Sequence, residues 1–291
     1  MAFTGQIKIA PLAASFGAVV SGVKLSSIGN EDWHVIYQNW LLYGLLIFPE
    51  QHLTREQQIN FAKRFGPLEF DLVAISNVRR DGSTRTDVAH DETLKILRGN
   101  MDWHADSTYM PVQAKGAVFS ADVVPKTGGQ TGFVDMRAAY DALDVETRER
   151  ANTLSAYHSL HYSQSKVNPV VSQTKSEKTP GYGFHDGPVP LRPLVKIHPE
   201  TGRKSLAIGR HAHNIPTMSE TESEDFLQRL LDFSCQAPRT YFHDWKQGET
   251  VIWDNRCLLH CATPWDLSEP RIMWHTRLAG DPVSEAALQS G

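Results

Sequence analysis

Cysteine is scarce in this chain, with only Cys235, Cys257 and Cys261 among 291 residues. Two of them stand four positions apart, too few and too close for a disulfide framework, and the pattern suits a reducing cytoplasm. Long apolar runs are missing too. Leu41 to Phe48, broken by Gly44, is the longest, far below the roughly 20 residues that cross a bilayer. No signal-peptide h-region opens the chain, so the protein is expected to be cytoplasmic and free of membrane contact. Basic runs are absent and the formal net charge is −4, which argues against nucleic acid and anionic membranes as partners. Repeats and low-complexity tracts are absent as well. These exclusions leave 291 residues, enough for a large core in one expected domain, and a small molecule as the expected partner.

What is present is a succession of short strands with a few amphipathic helices. Ile7 to Val23 reads as a pair of edge strands punctuated by Gly17 and Gly22. Trp33, Ile36, Tyr37, Trp40 and Leu41 recur at helical spacing between an expected N-cap at Asn30 and Gly44. Leu45 to Phe48 reads as a buried strand, and Thr54 to Gln57 and Ser219 to Glu222 as capping boxes that open two further helices. Strands are also expected at 115–125, up to Asp135, at 194–197, 205–209, 239–243, 250–253 and 272–278, with Asp135 capping a short helix. Two segments carry no core pattern. Residues 79–100 read as a mobile surface segment, and residues 164–190, rich in Ser, Lys, Gly and Pro, as a lid. The sum predicts a mainly β chain with peripheral helices, folded as a double-sheet jelly roll.

The chemistry centres on Trp103-His104-Ala105-Asp106-Ser107-Thr108. In an extended segment residues two apart share a face, so His104 and Asp106 can hold one metal ion together. With 13 His and 33 acidic residues, roughly one or two His-x-Asp/Glu pairs arise by chance, so spacing alone decides nothing. A second pair, His198-Pro199-Glu200, indeed exists, but it opens a polar run between two apolar stretches and reads as a hairpin turn. What raises the first pair is a distal segment, Val251 to His260, followed eleven residues later by Arg271. One carboxylate and two imidazoles make the facial triad of non-haem Fe(II) oxygenases, which leaves three octahedral positions open. Arg271 offers a planar, permanently charged fork for the carboxylate of an organic co-substrate.

Together, His104-x-Asp106, the turn Gly128-Gly129-Gln130-Thr131 with its Thr 27 residues after His104, Trp253-Asp254-Asn255-Arg256 with His260, and Arg271 resemble the taurine/2,4-D dioxygenase family. The similarity runs from about residue 10 to residue 280, and runs such as Gly99-Asn100-Met101 and Ile208-Gly209-Arg210-His211-Ala212-His213 resemble the aryloxyalkanoate branch that acts on (S)-2-aryloxypropionates. The resemblance implies a double-stranded β-helix and a dioxygenase that uses Fe(II), 2-oxoglutarate and O₂. It implies that His104, Asp106 and His260 bind iron, and that Thr131 and Arg271 bind the remote carboxylate of 2-oxoglutarate. Decarboxylation to succinate would accompany hydroxylation of a small anionic substrate. Hydroxylation beside an ether oxygen would release a phenol and an oxo acid. Asn100, Arg210, His211, His213 and His275 are the expected substrate-binding residues. His275 stands where sulfonate-acting members carry an arginine, which makes taurine a poor substrate and leaves the anion to be held jointly with Arg210, His211 or Arg277. Trp103, Trp253, Trp265 and Trp274 are expected either to wall an aromatic ring or to fill the core. A homo-oligomer is expected.

Three other readings share parts of this pattern. One is a hydroxylase of another small anion, such as a sulfonate, an alkyl sulfate or an N-acyl amino acid. A cupin-like protein that only binds metal is the second, although Thr131 and Arg271 serve only a co-substrate. The third is a zinc hydrolase with the same three ligands and a bound water.

Overall fold

The computed structural model of the protein describes residues 6–167 and 187–288. The first stretch of chain forms β1 (Lys8–Pro11), β2 (Ala18–Ser21), α1 (Asn30–Tyr43), β3 (Leu45–Phe48), α2 (Arg55–Lys63), β4 (Leu68–Ser76) and α3 (Glu92–Gly99). Next come β5 (Gly116–Val123), β6 (Thr131–Asp135), α4 (Met136–Ala142), α5 (Val145–Thr153), β7 (Ser155–His158), α6 (Leu160–Val167), β8 (Leu191–Pro193), β9 (Val195–Ile197), β10 (Lys204–Leu206) and β11 (Ala212–His213). The last stretch holds α7 (Glu220–Ser234), β12 (Thr240–His243), β13 (Thr250–Asp254), β14 (Leu258–Ala262) and β15 (Ile272–Leu278). No helix among the described residues is long and apolar enough to cross a membrane.

Local chemistry sets the helix ends. Thr54 and Ser219 each accept a backbone N–H three residues on while Gln57 and Glu222 reach back, so both expected capping boxes are formed. Asp135 caps α4 through the Arg137 N–H. α1 starts one residue earlier than expected, capped by Gly29, and stops at Gly44, whose φ of 73° admits the left-handed turn that a side chain resists.

Seven strands pair in the order β1-β2-β3-β13-β5-β15-β4, and a three-stranded sheet, β12-β6-β14, faces them. Alternation along the strands sorts the side chains. Ala117, Phe119, Val251, Trp253, Phe133 and Leu258 meet between the two sheets. Val118 and Ile252 point the other way, under α1 and α2, with Ile36, Trp40, Phe61 and Phe65. Val134 and Leu259 join α4 and α7 behind the small sheet. Burying each such side chain stabilises by about 1.5–3 kcal/mol, so a one-residue slip, which would swap every face, is strongly disfavoured. That register directs His260, on β14 beside Leu258, to the interior between the sheets. The fold is the expected jelly roll with peripheral helices.

At four places the structure extends or alters the local sequence reading. Leu68–Ser76, which lacks a clean apolar alternation, is a strand, β4, because it pairs with β15 along its length. The His104–Asp106 segment is extended only at His104, which forms an isolated bridge with His260; it turns at Asp106, and Ser107 adopts a left-handed φ of 57°. His198-Pro199-Glu200 does turn the β9–β10 hairpin, but its polar side chains face inward, His198 to Asp254 at 3.0 Å and Glu200 to Arg256 at 2.6 Å. Of residues 79–100, Arg79 and Arg85 pair with Asp91, the cap of α3, and Leu94 and Leu97 are buried. The expected lid at 164–190 lies mostly outside the described residues.

Candidate active site

His104 and His260, more than 150 positions apart, are joined by their own backbones. The His104 N–H donates to the His260 carbonyl at 3.0 Å, and the His260 N–H donates back at 2.8 Å. Asp106 is clamped by Asn255, whose Oδ1 accepts the Asp106 N–H at 2.8 Å while its Nδ2 donates to the Asp106 carbonyl at 2.9 Å. One ligand atom from each of His104, Asp106 and His260 lies within 4.8 Å of the other two, and all three residues are buried. Among the described residues this is the one such group.

The protonation states suit a metal. His104 Nδ1–H donates to the Asp102 carbonyl at 2.7 Å, which turns Nε2, with its lone pair, toward the site. Burial, aided by the nearby Arg210 guanidinium, pushes the His104 imidazole far below its ordinary value, and burial brings His260 down to about 4. Both rings are therefore neutral ligands at working pH. Burial alone would raise Asp106, but the Arg277 guanidinium beside it holds its carboxyl well below the usual carboxylate range. Its Oδ1 accepts from Arg277 at 2.9 Å, whereas its buried Oδ2 has no hydrogen-bond partner and lies 3.9 Å from His260 Nε2. An orphaned carboxylate oxygen facing two neutral imidazoles is a donor set that fits a divalent cation.

Arg271 lies in the same cleft. It is 3% exposed, and no acidic side chain among the described residues pairs with it. Burial lowers its guanidinium to about 10. Its backbone N–H donates to Asn77, its Nε donates to the Gly129 carbonyl at 3.2 Å, and the left-handed Gly129, at φ 65°, leaves no Cβ to crowd the side chain. Thr131, beside it in the cleft, accepts from Trp245 Nε1 at 2.9 Å. A buried cation held at its stem and lacking a counter-charge fits an anionic ligand.

The cleft encloses about 560 Å³, part of it open to solvent, and Asn100, Thr131, Arg271 and His275 line it together with the triad. Ile75, Leu97, Phe119, Trp253 and Trp265 supply its apolar wall. Trp103 instead packs behind, against Phe242, and Trp274 turns outward to Asp122. His275 stacks parallel on Trp253, 3.6 Å from Asp106 Oδ2, and burial pushes its imidazole down to about 3, so it is neutral. Arg210, His211 and His213 do not line this cleft. Arg210 lies against Gly99 and donates to His211 at 3.4 Å; His211 bonds Ser163, and His213 stacks on Tyr162. Arg277, weighed above as an anion holder, is committed to Asp106. Sequence reasoning missed Asn255 and Asn77 as supports. Asn255 was within reach, because it sits inside the run leading to His260; Asn77 carries no local signal.

Comparisons with known proteins agree with this geometry. The model of the family described as Taurine catabolism dioxygenase TauD, TfdA family matches residues 8–277. The chain is 67% identical over 280 residues to the (S)-phenoxypropionate/alpha-ketoglutarate-dioxygenase of Sphingobium herbicidovorans, covering 96% of this chain and 97% of that one. To the protein of the same name from Delftia acidovorans it is 55% identical over 287 residues, covering 97% and 98%. The solved structure of AAD-2 in complex with Mn(II) and N-oxalylglycine matches with a TM-score of 0.87 and 35% identity, over 98% of this chain and all of the other. A family match across nearly the whole length, on a chain that brings the two-histidine, one-carboxylate triad together, means that this protein belongs to the taurine catabolism dioxygenase TauD, TfdA family.

Proposed function

We propose that the protein is an Fe(II)- and 2-oxoglutarate-dependent dioxygenase that hydroxylates (S)-2-aryloxypropionates at the carbon bearing the ether oxygen. The observation that carries the reaction class is the coexistence in one cleft of three convergent ligand atoms and a buried arginine without an acidic partner. The substrate assignment is supported by the 67% identity to a protein named for (S)-phenoxypropionate and by the aromatic and aliphatic wall of the cleft. Iron, bound with 2-oxoglutarate and O₂, supplies the oxidising power that replaces C–H by C–OH while 2-oxoglutarate becomes succinate. The residues do the rest. His104, Asp106 and His260 each offer one atom and leave three positions for co-substrate and O₂. Arg271 and Thr131 grip the remote carboxylate of 2-oxoglutarate, and Ile75, Leu97, Trp253 and Trp265 keep water from the reacting carbon.

For the substrate carboxylate, Asn100 and the neutral His275 offer polar contacts inside the cleft. The hydroxylated product is a hemiketal, which collapses to a phenol and an oxo acid. The test is a set of aerobic reactions with purified protein, Fe(II) and 2-oxoglutarate, in which succinate and phenol are both quantified. Equal amounts of the two from an (S)-2-aryloxypropionate, and much less from its (R) enantiomer or from taurine, are expected. Succinate formed with a sulfonate, an alkyl sulfate or an N-acyl amino acid but not with the aryloxy acid would overturn the substrate assignment.

A further inference from the structure

The geometry points to Arg277 as a positioning residue that, with Glu69 and Ser107, fixes Asp106 as a ligand through one oxygen only; this rests on the metal-centre reading above. Asn255 clamps the Asp106 main chain but does not reach its carboxylate. The carboxylate is set by Arg277, which is fully buried on β15. Its Nη2 donates to Asp106 Oδ1 at 2.9 Å, and its Nη1 donates to Ser107 Oγ at 3.2 Å and stands 3.5 Å from Glu69 Oε1. Ser107 Oγ donates in turn to Glu69 at 2.8 Å. Ser107 is the residue next to the ligand and holds a left-handed φ of 57°, so Glu69 and Arg277 secure the turn by which Asp106 enters the site. A closed ring of contacts, drawn from β4, β15 and the ligand turn, thus engages Oδ1 and leaves Oδ2 facing the two imidazoles.

The chemical consequence concerns coordination number. A carboxylate can bind a cation through one oxygen or two, and a second Asp106 oxygen on the metal would occupy a position that 2-oxoglutarate or O₂ requires. With Oδ1 engaged by Arg277, Oδ2 would be the one oxygen left to a bound metal. A purely structural role is the competing explanation, because a buried ion pair that loses one partner leaves an uncompensated charge and destabilises the fold. The two roles predict different effects on metal affinity.

Mn(II) is the probe, bound by the whole protein and followed by the loss of the electron paramagnetic resonance signal of free Mn(II). The thermal midpoint of the metal-free protein is measured in parallel. Arg277→Met is expected to bind Mn(II) about ten- to a hundredfold more weakly than wild type, the usual effect of removing a partner of a metal ligand. Because it leaves the Asp106 carboxylate buried without its cation, it is also expected to have a lowered metal-free midpoint, so binding is titrated well below that midpoint. Arg277→Lys, which keeps the charge but cannot span both partners, and Glu69→Gln are expected to lie between, and they carry the test if Arg277→Met does not fold. Wild-type Mn(II) affinity in the folded variants overturns the proposal, as does a loss of affinity seen only in variants that are unfolded at the temperature of the titration. A wild-type protein that binds no Mn(II), or a His104→Ala variant that binds it equally well, overturns the metal centre itself.

Discussion

Arg271 was legible as a residue but not as a position. Its distance from His260 and its chemistry could be read directly, whereas what aims it, a buried Asn77 194 residues earlier and the Gly129 carbonyl, is visible only in the fold. Arg271→Lys replaces a bidentate fork with a point charge and should cost roughly 1.5–3 kcal/mol of 2-oxoglutarate binding, a rise of about ten- to a hundredfold in its dissociation constant. Asn77→Ala should weaken 2-oxoglutarate in the same direction by less, with substrate binding little changed. Titration of the co-substrate into anaerobic protein checks both, and normal affinity in Arg271→Ala would remove the residue from this role. The ligands His104, Asp106 and His260 were likewise readable. The commitment of Arg277 was not, since two arginines six positions apart, one just before β15 and one within it, look equivalent until their partners are known. His275 shows the same limit: its identity is in the sequence, but the burial that keeps it neutral comes from Phe70, Phe119 and Trp253. That neutrality removes the charge that a pH-sensitive grip on a substrate anion would need.

Elements whose cause is local were read well. The capping boxes at Thr54 and Ser219, the stop at Gly44 and the cap at Asp135 each depend on residues within a few positions of one another, and each forms. Elements whose cause is remote were not: β4 exists through its pairing with β15, and the turn at Asp106 through Asn255, Glu69 and Arg277. The capping box of α7 offers a direct check because it is exposed and lies outside the cleft. Ser219→Ala should lower unfolding stability by about 0.5–2 kcal/mol while kcat and KM stay at wild-type values. Denaturant titration and steady-state assays measure the two effects. A change in turnover as large as the change in stability would mean that α7 reports to the site.

At the scale of the whole molecule, the jelly roll encloses several imidazoles in a neutral state. Burial pushes His158 and His275 down to about 3 and His260 to about 4, and holds His104 and His211 well below the ordinary value. The unfolded chain binds these protons at about 6.5 and the folded chain does not. Stability is therefore fully present above that value and is lost as pH falls from it toward 4. Each histidine contributes up to about 1.4 kcal/mol per pH unit in that window. Denaturant midpoints of metal-free protein between pH 7.5 and 4.5 should drop steeply, and His158→Gln, away from the ligands, should reduce the slope by about one proton. A flat profile would show that these rings keep their protons when folded. The same enclosure gives meaning to the two main-chain hydrogen bonds that tie residue 104 to residue 260. Those bonds do not depend on which side chains the two residues carry. The crossing point is thus a fixed mount on which the ligands are replaceable fittings, and a descendant of this protein can exchange one donor for another, and with it the preferred metal, without rebuilding the frame.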